Sequence, residues 1–258
     1  MLLTLDAGNT NVTIGLYDGD RLAHHFRLQS LVGRTADEYG LMMKALLSQV
    51  GQQNAQLTGA ALSSVVPPLT GTLEDAVQRW FGVEVMTVGP GIKTGMPILV
   101  ENPREVGADR IVNAVAGWEK FHCPLVIVDF GTATTFDAVS GKGEYLGGAI
   151  APGVGISMDA LFRHAAKLPR IDFQRPARVV GKNTVHSMQA GLFYGYVGLV
   201  DGVVERMTRE MDAGRVKVMA TGGLAPLVSG ESKTIELVDE FLTLDGLRLL
   251  FERNRRPA

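Results

Sequence analysis

Apolar and polar positions alternate loosely from the first residues, with Leu3 and Leu5 on one side of a strand over Met1 to Asp6. The cluster Ala7-Gly8-Asn9-Thr10-Asn11 turns the chain, and Val12 to Tyr17 forms a second β-rich run. Asp18-Gly19-Asp20 reads as a hairpin turn. Leu22, His24, Phe26 and Leu28 then alternate along a third strand over Arg21 to Leu28, completing a β-meander. Beyond it the period lengthens. Thr35 to Glu38 opens a helix that carries Tyr39, Met42, Met43, Leu46 and Leu47 on one face and stops at Gly51. A strand over Ala60 to Val66 closes at Pro67-Pro68, a helix covers Leu69 to Phe81, and another strand covers Glu84 to Val88.

The pattern then begins again. Pro124 to Asp129 is a buried-type strand, Phe130-Gly131-Thr132-Ala133-Thr134 is a turn, and Thr135 to Val139 returns. After Gly141-Lys142-Gly143 a third strand runs from Tyr145 to Ile150. Helices are expected from about Ser157 to Ala166 and from Thr184 to Met211. A strand over Val216 to Ala220 ends in Thr221-Gly222-Gly223, and Asp245 to Asn254 forms a closing helix. The repetition implies two similar halves that meet in a helical region between about Asn113 and Lys120, so the expected division is 1–114 and 115–258. No linker-like or low-complexity stretch marks the junction.

Composition narrows the function class. The chain has 258 residues, 46% apolar, with 25 basic and 27 acidic side chains and a formal net charge of −2. That balance, with no basic run, argues against nucleic acid as the main partner. No apolar stretch approaches the ~20 residues of a membrane span, and the N-terminus lacks the basic region of a signal peptide. A cytoplasmic location is therefore expected. Cys123 is the only cysteine, which excludes an internal disulfide and a thiolate cluster. Glycine is enriched, and it gathers at the ends of apolar runs, where a backbone turns tightly or approaches a ligand.

The candidate chemistry lies at those turns. Asp6-Ala7-Gly8-Asn9-Thr10 and Asp129-Phe130-Gly131-Thr132-Ala133-Thr134 each put a carboxylate at a strand end, then glycine, then hydroxyl or amide side chains. Glycine lets backbone N–H groups turn toward phosphate oxygens, and a carboxylate can hold Mg²⁺ directly or through water. Each could equally be a plain Asx-type turn; the repetition favours the phosphate reading. Thr221-Gly222-Gly223 would allow a flat ligand to lie against backbone, or would merely join a strand to a helix. In the segment Asn102 to Arg110, Asn102, Pro103 and Glu105 fit the start of a helix. Gly107 inside that helix would cost about 1 kcal/mol relative to alanine, which points to a close approach there. Asp109 and Arg110 offer an acid/base group beside a fixed cation, or a surface ion pair. A Walker-type loop, a dinucleotide fingerprint and a nucleophile elbow are all absent from the sequence, and the five histidines have no metal-ligand spacing.

These residues together resemble a known group. Paired Asp-x-Gly turns opening two duplicated meanders look like the acetate and sugar kinase, Hsp70 and actin superfamily. More narrowly, Asp6 to Asn11, Gly95 to Pro97 with Glu101 to Arg110, Asp129 to Thr135, Gly147 to Gly153, Asn183 to Gly191 and Thr221 to Leu224 are similar to type III pantothenate kinases. The resemblance implies an α/β fold of two duplicated ribonuclease H-like (actin-like ATPase) halves, each a mixed sheet flanked by helices. It implies phosphorylation of pantothenate by ATP, the first step toward coenzyme A, with Mg²⁺ and a monovalent cation, K⁺ or NH₄⁺, in a homodimer. Carried onto this sequence, Asp109 is the general base, and Gly107, Ala108, Asp109, Arg110 and Thr184 line the pantothenate pocket. Asp6, Ala7, Gly8, Asn9, Thr10, Asn11, Val12, Thr13 and Thr132 hold ATP, Asp6 holds Mg²⁺ through water, and Asp129 lies at the K⁺ site. Val100 stands where many members carry a substrate-contacting tyrosine, so a hydroxyl and an aromatic wall are missing. Three other readings remain open from the residues: a nucleotide-binding regulator without phosphotransfer, a kinase or phosphatase of the same superfamily acting on a sugar, acetate or polyphosphate, and a soluble two-domain α/β protein whose turns are only turns.

Overall fold

Three antiparallel strands, β1 (Leu2–Ala7), β2 (Asn11–Asp18) and β3 (Arg21–Gln29), open the chain. A computed structural model describes residues 1–255. After the meander, α1 (Ala36–Gln49) starts on a reciprocal cap: the Thr35 hydroxyl accepts from the Glu38 N–H, and the Glu38 carboxylate accepts from the Thr35 N–H at 2.7 Å. Strand β4 (Gly59–Ser64) then enters parallel to β1, α2 (Pro67–Phe81) begins on two prolines, and β5 (Val85–Thr87) runs parallel to β4. Proline suits the first helical turn because its missing N–H would have no partner there. The sheet order is β3-β2-β1-β4-β5. Leu3 and Leu5 of β1, Ile14 of β2 and Leu62 of β4 pack with Tyr39, Met43, Leu69 and Leu73 from α1 and α2.

The segment after β5 contains one 3₁₀ turn (Pro103–Glu105) and then α3 (Ala108–Phe121). The expected helix start at Asn102 is therefore interrupted. Asn102 does cap, accepting the Arg104 N–H at 3.3 Å, but Val106 is extended and a new helix begins at Ala108. Gly107 lies in the break rather than within a helix, which removes the propensity cost that placing it there would carry.

The second meander comprises β6 (Leu125–Phe130), β7 (Ala133–Val139) and β8 (Tyr145–Pro152). Helices α4 (Val154–His164) and α5 (Thr184–Met211) follow, then β9 (Lys217–Thr221), the short α6 (Ala225–Ser229) and β10 (Leu237–Val238). Strand β9 is parallel to β6 and β10 is parallel to β9, giving the order β8-β7-β6-β9-β10. Each half thus repeats an antiparallel meander whose first strand is extended by two parallel strands. Val126, Val128 and Phe136 form this half's core with Phe193, Val197 and Val200 from α5.

The last helix, α7 (Leu242–Asn254), returns to the first sheet and packs on β1, β2 and β4. Leu242, Leu244, Leu247 and Leu250 are buried there. Strand β1 is accordingly covered on both faces, with Leu3 and Leu5 toward α1 and α2, and Leu2 and Thr4 on the side of α7. The chain divides into two compact units. The first holds Met1–Gly95, Asn102–Ala116 and the segment from Leu242; the second holds Met96–Glu101 and Gly117–Phe241. This differs from a single cut near residue 114, because α7 buries its leucines against the N-terminal sheet and Met96–Glu101 joins the second unit. Within that unit the Leu99 N–H donates to the Tyr145 carbonyl and the Tyr145 N–H to the Pro97 carbonyl, both at 2.8 Å.

Candidate active site

In the first unit, β1 delivers Asp6 to the mouth of its hairpin. Asp6 is half-buried, flanked in register by Thr13 on β2 and Ser63 on β4. Ala7 and Val12 close the base of the turn and are fully buried, so Val12 gives its side chain to the core and only backbone to the turn. Gly8 to Asn11 form a four-residue turn closed by the Gly8 N–H donating to the Asn11 carbonyl at 3.0 Å. Asn9 and Thr10 are exposed at its tip, while Gly8 and Asn11 are half-buried. A side chain at Gly8 would sit only 3.4 Å from the Asn11 carbonyl.

The second unit repeats the device with one residue fewer. Asp129 is half-buried and flanked in register by Thr135 and Thr221. Phe130 pairs with Thr134, leaving Gly131, Thr132 and Ala133 in the turn, with the Gly131 N–H donating to the Ala133 carbonyl at 3.0 Å. Two glycines from other segments press on this mouth. Gly153, the N-cap of α4, lies where a methyl group would overlap the Thr132 carbonyl and come within 2.7 Å of the Gly131 carbonyl. Gly222, with φ of +90°, follows β9, and its Cβ position is 2.7 Å from both an Asp129 carboxylate oxygen and the Phe130 carbonyl. The Thr221-Gly222 step, which joins β9 to α6, therefore also makes room for Asp129.

Asp109 occupies the first turn of α3 in the first unit. The Arg110 backbone N–H donates to its Oδ1 at 2.8 Å. A side chain at Gly107 would reach that same oxygen at 2.6 Å, so the glycine leaves the space that the carboxylate fills. Burial pushes the Asp109 carboxyl above the ordinary carboxylate range, and the Arg110 N–H and positive charge pull it only partly back. Ala108 and Arg110 are half-buried beside it. Such a carboxylate is a stronger proton acceptor than an exposed one, which suits general-base work.

The remaining expected residues fall as follows. Thr184 is exposed as the first residue of α5, whose cap is the Asn183 side chain accepting the His186 N–H at 2.8 Å. The Asp6 turn and Gly107 to Arg110 belong to the first unit; Asp129, Thr132 and Thr184 belong to the second. Val100 lies against β8, where a side chain at Gly147 would be 3.5 Å from its methyl group. Among the described residues, no cluster of three or more His, Cys, Asp or Glu side chains could hold a metal, and no helix is long and apolar enough to cross a membrane. Sequence reasoning passed over Ser30, which bonds the Asp6 turn from the end of β3. No local motif announces it, because its partners lie about 20 residues earlier in the chain.

The chain was compared with known proteins. The family model described as type III pantothenate kinase matches residues 2–206. A type III pantothenate kinase from Anaeromyxobacter sp. (strain Fw109-5) is 62% identical over 255 residues, covering 99% of this chain and all of that protein. Among solved structures, a Baf family transcriptional activator from Campylobacter jejuni superposes with a TM-score of 0.59 at 18% identity, over 98% of both chains. A 2-dehydro-3-deoxygalactonokinase from Sinorhizobium meliloti gives 0.57 at 12% identity, over 98% of this chain and 99% of that one. At such low identity these two likenesses speak for the fold alone. With the repeated strand order, they make each half ribonuclease H-like, in the actin-like ATPase and sugar kinase architecture. The full-length identity goes further, and the chain belongs to the type III pantothenate kinase family.

Proposed function

We propose that this protein transfers the γ-phosphoryl group of ATP to the primary hydroxyl of pantothenate, giving 4′-phosphopantothenate, the first step toward coenzyme A. One observation carries the reading. Asp109 is lodged behind Gly107 with its carboxyl made more basic by burial, in a chain whose family is that of pantothenate kinases.

In this reading Asp109 accepts the hydroxyl proton as the pantothenate oxygen attacks in line. A positioned base contributes about 10²–10⁴-fold; the rest of phosphoryl transfer is positioning and charge stabilisation. Gly107, Ala108, Arg110 and Thr184 orient pantothenate. Backbone and hydroxyl groups from Asp6 to Thr13, and Thr132 on the other turn, hold ATP. Asp6 fits Mg²⁺ because one carboxylate suffices for an ion that keeps several waters and takes its other oxygens from phosphates. The half-buried Asp129 carboxylate, beside the Thr135 and Thr221 positions, is a hard oxygen donor of the kind K⁺ or NH₄⁺ takes. When bound, these cations neutralise charge on the phosphates. A homodimer working in the cytoplasm completes the proposal.

The test is an ADP-release assay run with pantothenate, with a panel of sugars and acetate, and with and without K⁺. ADP release that requires pantothenate and rises with K⁺ is expected. Release with a sugar and none with pantothenate would overturn the assignment, and nucleotide binding without any transfer would make the protein a regulator.

A further inference from the structure

We infer that Ser30 is a positioning residue for the ATP-binding turn of the first unit, acting by locking the carbonyl side of that turn so that its N–H side is preset for phosphate. The inference rests on the proposed nucleotide role of the Asp6 turn.

Ser30 follows the last residue of β3 and makes two bonds to the turn. Its hydroxyl donates to the Gly8 carbonyl at 2.6 Å, and its backbone N–H donates to the Thr10 carbonyl at 2.9 Å. Together with the Gly8 N–H to Asn11 carbonyl bond, these hold four backbone polar groups of a four-residue turn. No peptide bond among the described residues is cis, and a trans peptide directs its C=O and N–H to opposite sides. Fixing the Gly8 carbonyl on Ser30 therefore aims the Asn9 N–H away from Ser30, at the exposed tip of the turn. A donor set in advance need not be reorganised when a phosphate arrives.

Ser30 is itself held. The buried Tyr39 of α1 puts its hydroxyl between the neighbours of Ser30, accepting the Leu31 N–H at 3.0 Å and facing the Gln29 carbonyl at 3.2 Å. Tyr39 belongs to the core, so residues 29–31 form a strap tied to α1 on one side and to the phosphate turn on the other.

The experiment measures MgATP affinity by calorimetry without pantothenate, then turnover, for the wild type, Ser30→Ala, Ser30→Thr and Tyr39→Phe. Ser30→Ala is expected to weaken MgATP binding about 10-fold, a change of about 1.4 kcal/mol, because a loosened turn must be ordered when the phosphate arrives. Its KM for ATP should rise by a similar factor, its KM for pantothenate should stay put, and its melting temperature should fall by only a few degrees, about what one lost hydrogen bond costs. Ser30→Thr should restore affinity, and Tyr39→Phe should weaken it in the same direction. Unchanged MgATP affinity in Ser30→Ala would overturn the inference; so would equal loss in Ser30→Thr. Should Ser30→Ala fail to fold, Tyr39→Phe with wild-type affinity would overturn it instead. Because affinity is read without the acceptor, an enzyme that binds MgATP but ignores pantothenate would refute the proposed substrate and leave the Ser30 result standing. A wild type that binds no nucleotide would overturn both.

Discussion

Replacing Gly222 with alanine probes the tightest packing around Asp129. The residue has φ of +90°, a region where an L side chain costs about 1–2 kcal/mol. The new methyl would also lie 2.7 Å from two oxygens, one on the Asp129 carboxylate and one on the Phe130 backbone. The carboxylate can swing aside but the carbonyl sits within the β6 ladder, so overpacking adds about 1–3 kcal/mol. The sum, about 2–5 kcal/mol, corresponds at this chain length to a melting temperature lower by about 4–20 °C. Circular dichroism melts of Gly222→Ala should be read beside Gly191→Ala, an exposed position in α5 where the added methyl meets nothing within 4 Å. The control should be neutral or stabilising by up to about 1 kcal/mol, since alanine is the better helix former. A displaced Asp129 should also raise the K⁺ concentration needed for half-maximal activity. A Gly222→Ala protein that melts within about 1 °C of the wild type and keeps its K⁺ titration would refute the argument that Gly222 makes room for Asp129.

Asp109→Asn should lower turnover by about 10²–10⁴-fold while leaving MgATP affinity intact; near-normal turnover would remove Asp109 from the base role. The same variant has a stability signature. The folded state raises the Asp109 carboxyl above its usual range, so wild-type stability is lost as pH rises through that raised value. Asparagine carries no such penalty, so the variant should be at least as stable at neutral pH, with the advantage fading in acid; urea melts showing a weaker variant at pH 7 would contradict the burial argument. Asp201 carries the opposite sign. Burial works against its charge, but bonds from the Ser232 hydroxyl at 2.6 Å, the Lys233 and Thr234 N–H groups and the Thr234 hydroxyl outweigh it, holding the carboxyl below its usual range. That stability is present above the unfolded value and is lost as pH falls through the folded one. Asp201→Ala should therefore cost about 1–2 kcal/mol at pH 7, discounted for its exposure, with the gap closing in acid; a gap that widens in acid would be the refuting result. Asp6→Ala should raise the Mg²⁺ requirement about 10-fold, as outer-shell losses at metal sites do; an unchanged metal titration would count against Asp6.

The repeated meanders could be read from the chain because apolar alternation is local and both cores impose it. Elements that depend on distant partners were harder to see. Strand β10 has two residues and α6 has five, too short for any period to register. Helix α4 begins at Val154 rather than Ser157, because Gly153-Val154-Gly155 looks like a turn until Gly153 is seen serving as its cap. Helix α7 begins at Leu242, three residues before the expected Asp245. Asn102, Pro103 and Glu105 do start a turn, but Val106 is extended and ends it, and Gly107 then leaves space beside the Asp109 carboxylate. At the candidate site the two Asp-Gly mouths and Asp109 stood out as residue types in sequence. The Ser30 clamp and the Gly222 and Gly153 approaches did not, since each joins segments far apart in the chain.

The return of α7 to the N-terminal sheet also constrains how the molecule is made. As the polypeptide leaves the ribosome, β1 to β5 emerge before the second unit, yet one face of β1 waits for leucines that are translated after it. A nascent chain stalled before Leu242 would keep that greasy surface open to chaperones, and a gene cut at the midpoint would yield a first half lacking its own lid. Supplying the α7 segment as a separate peptide to such a half should restore its solubility.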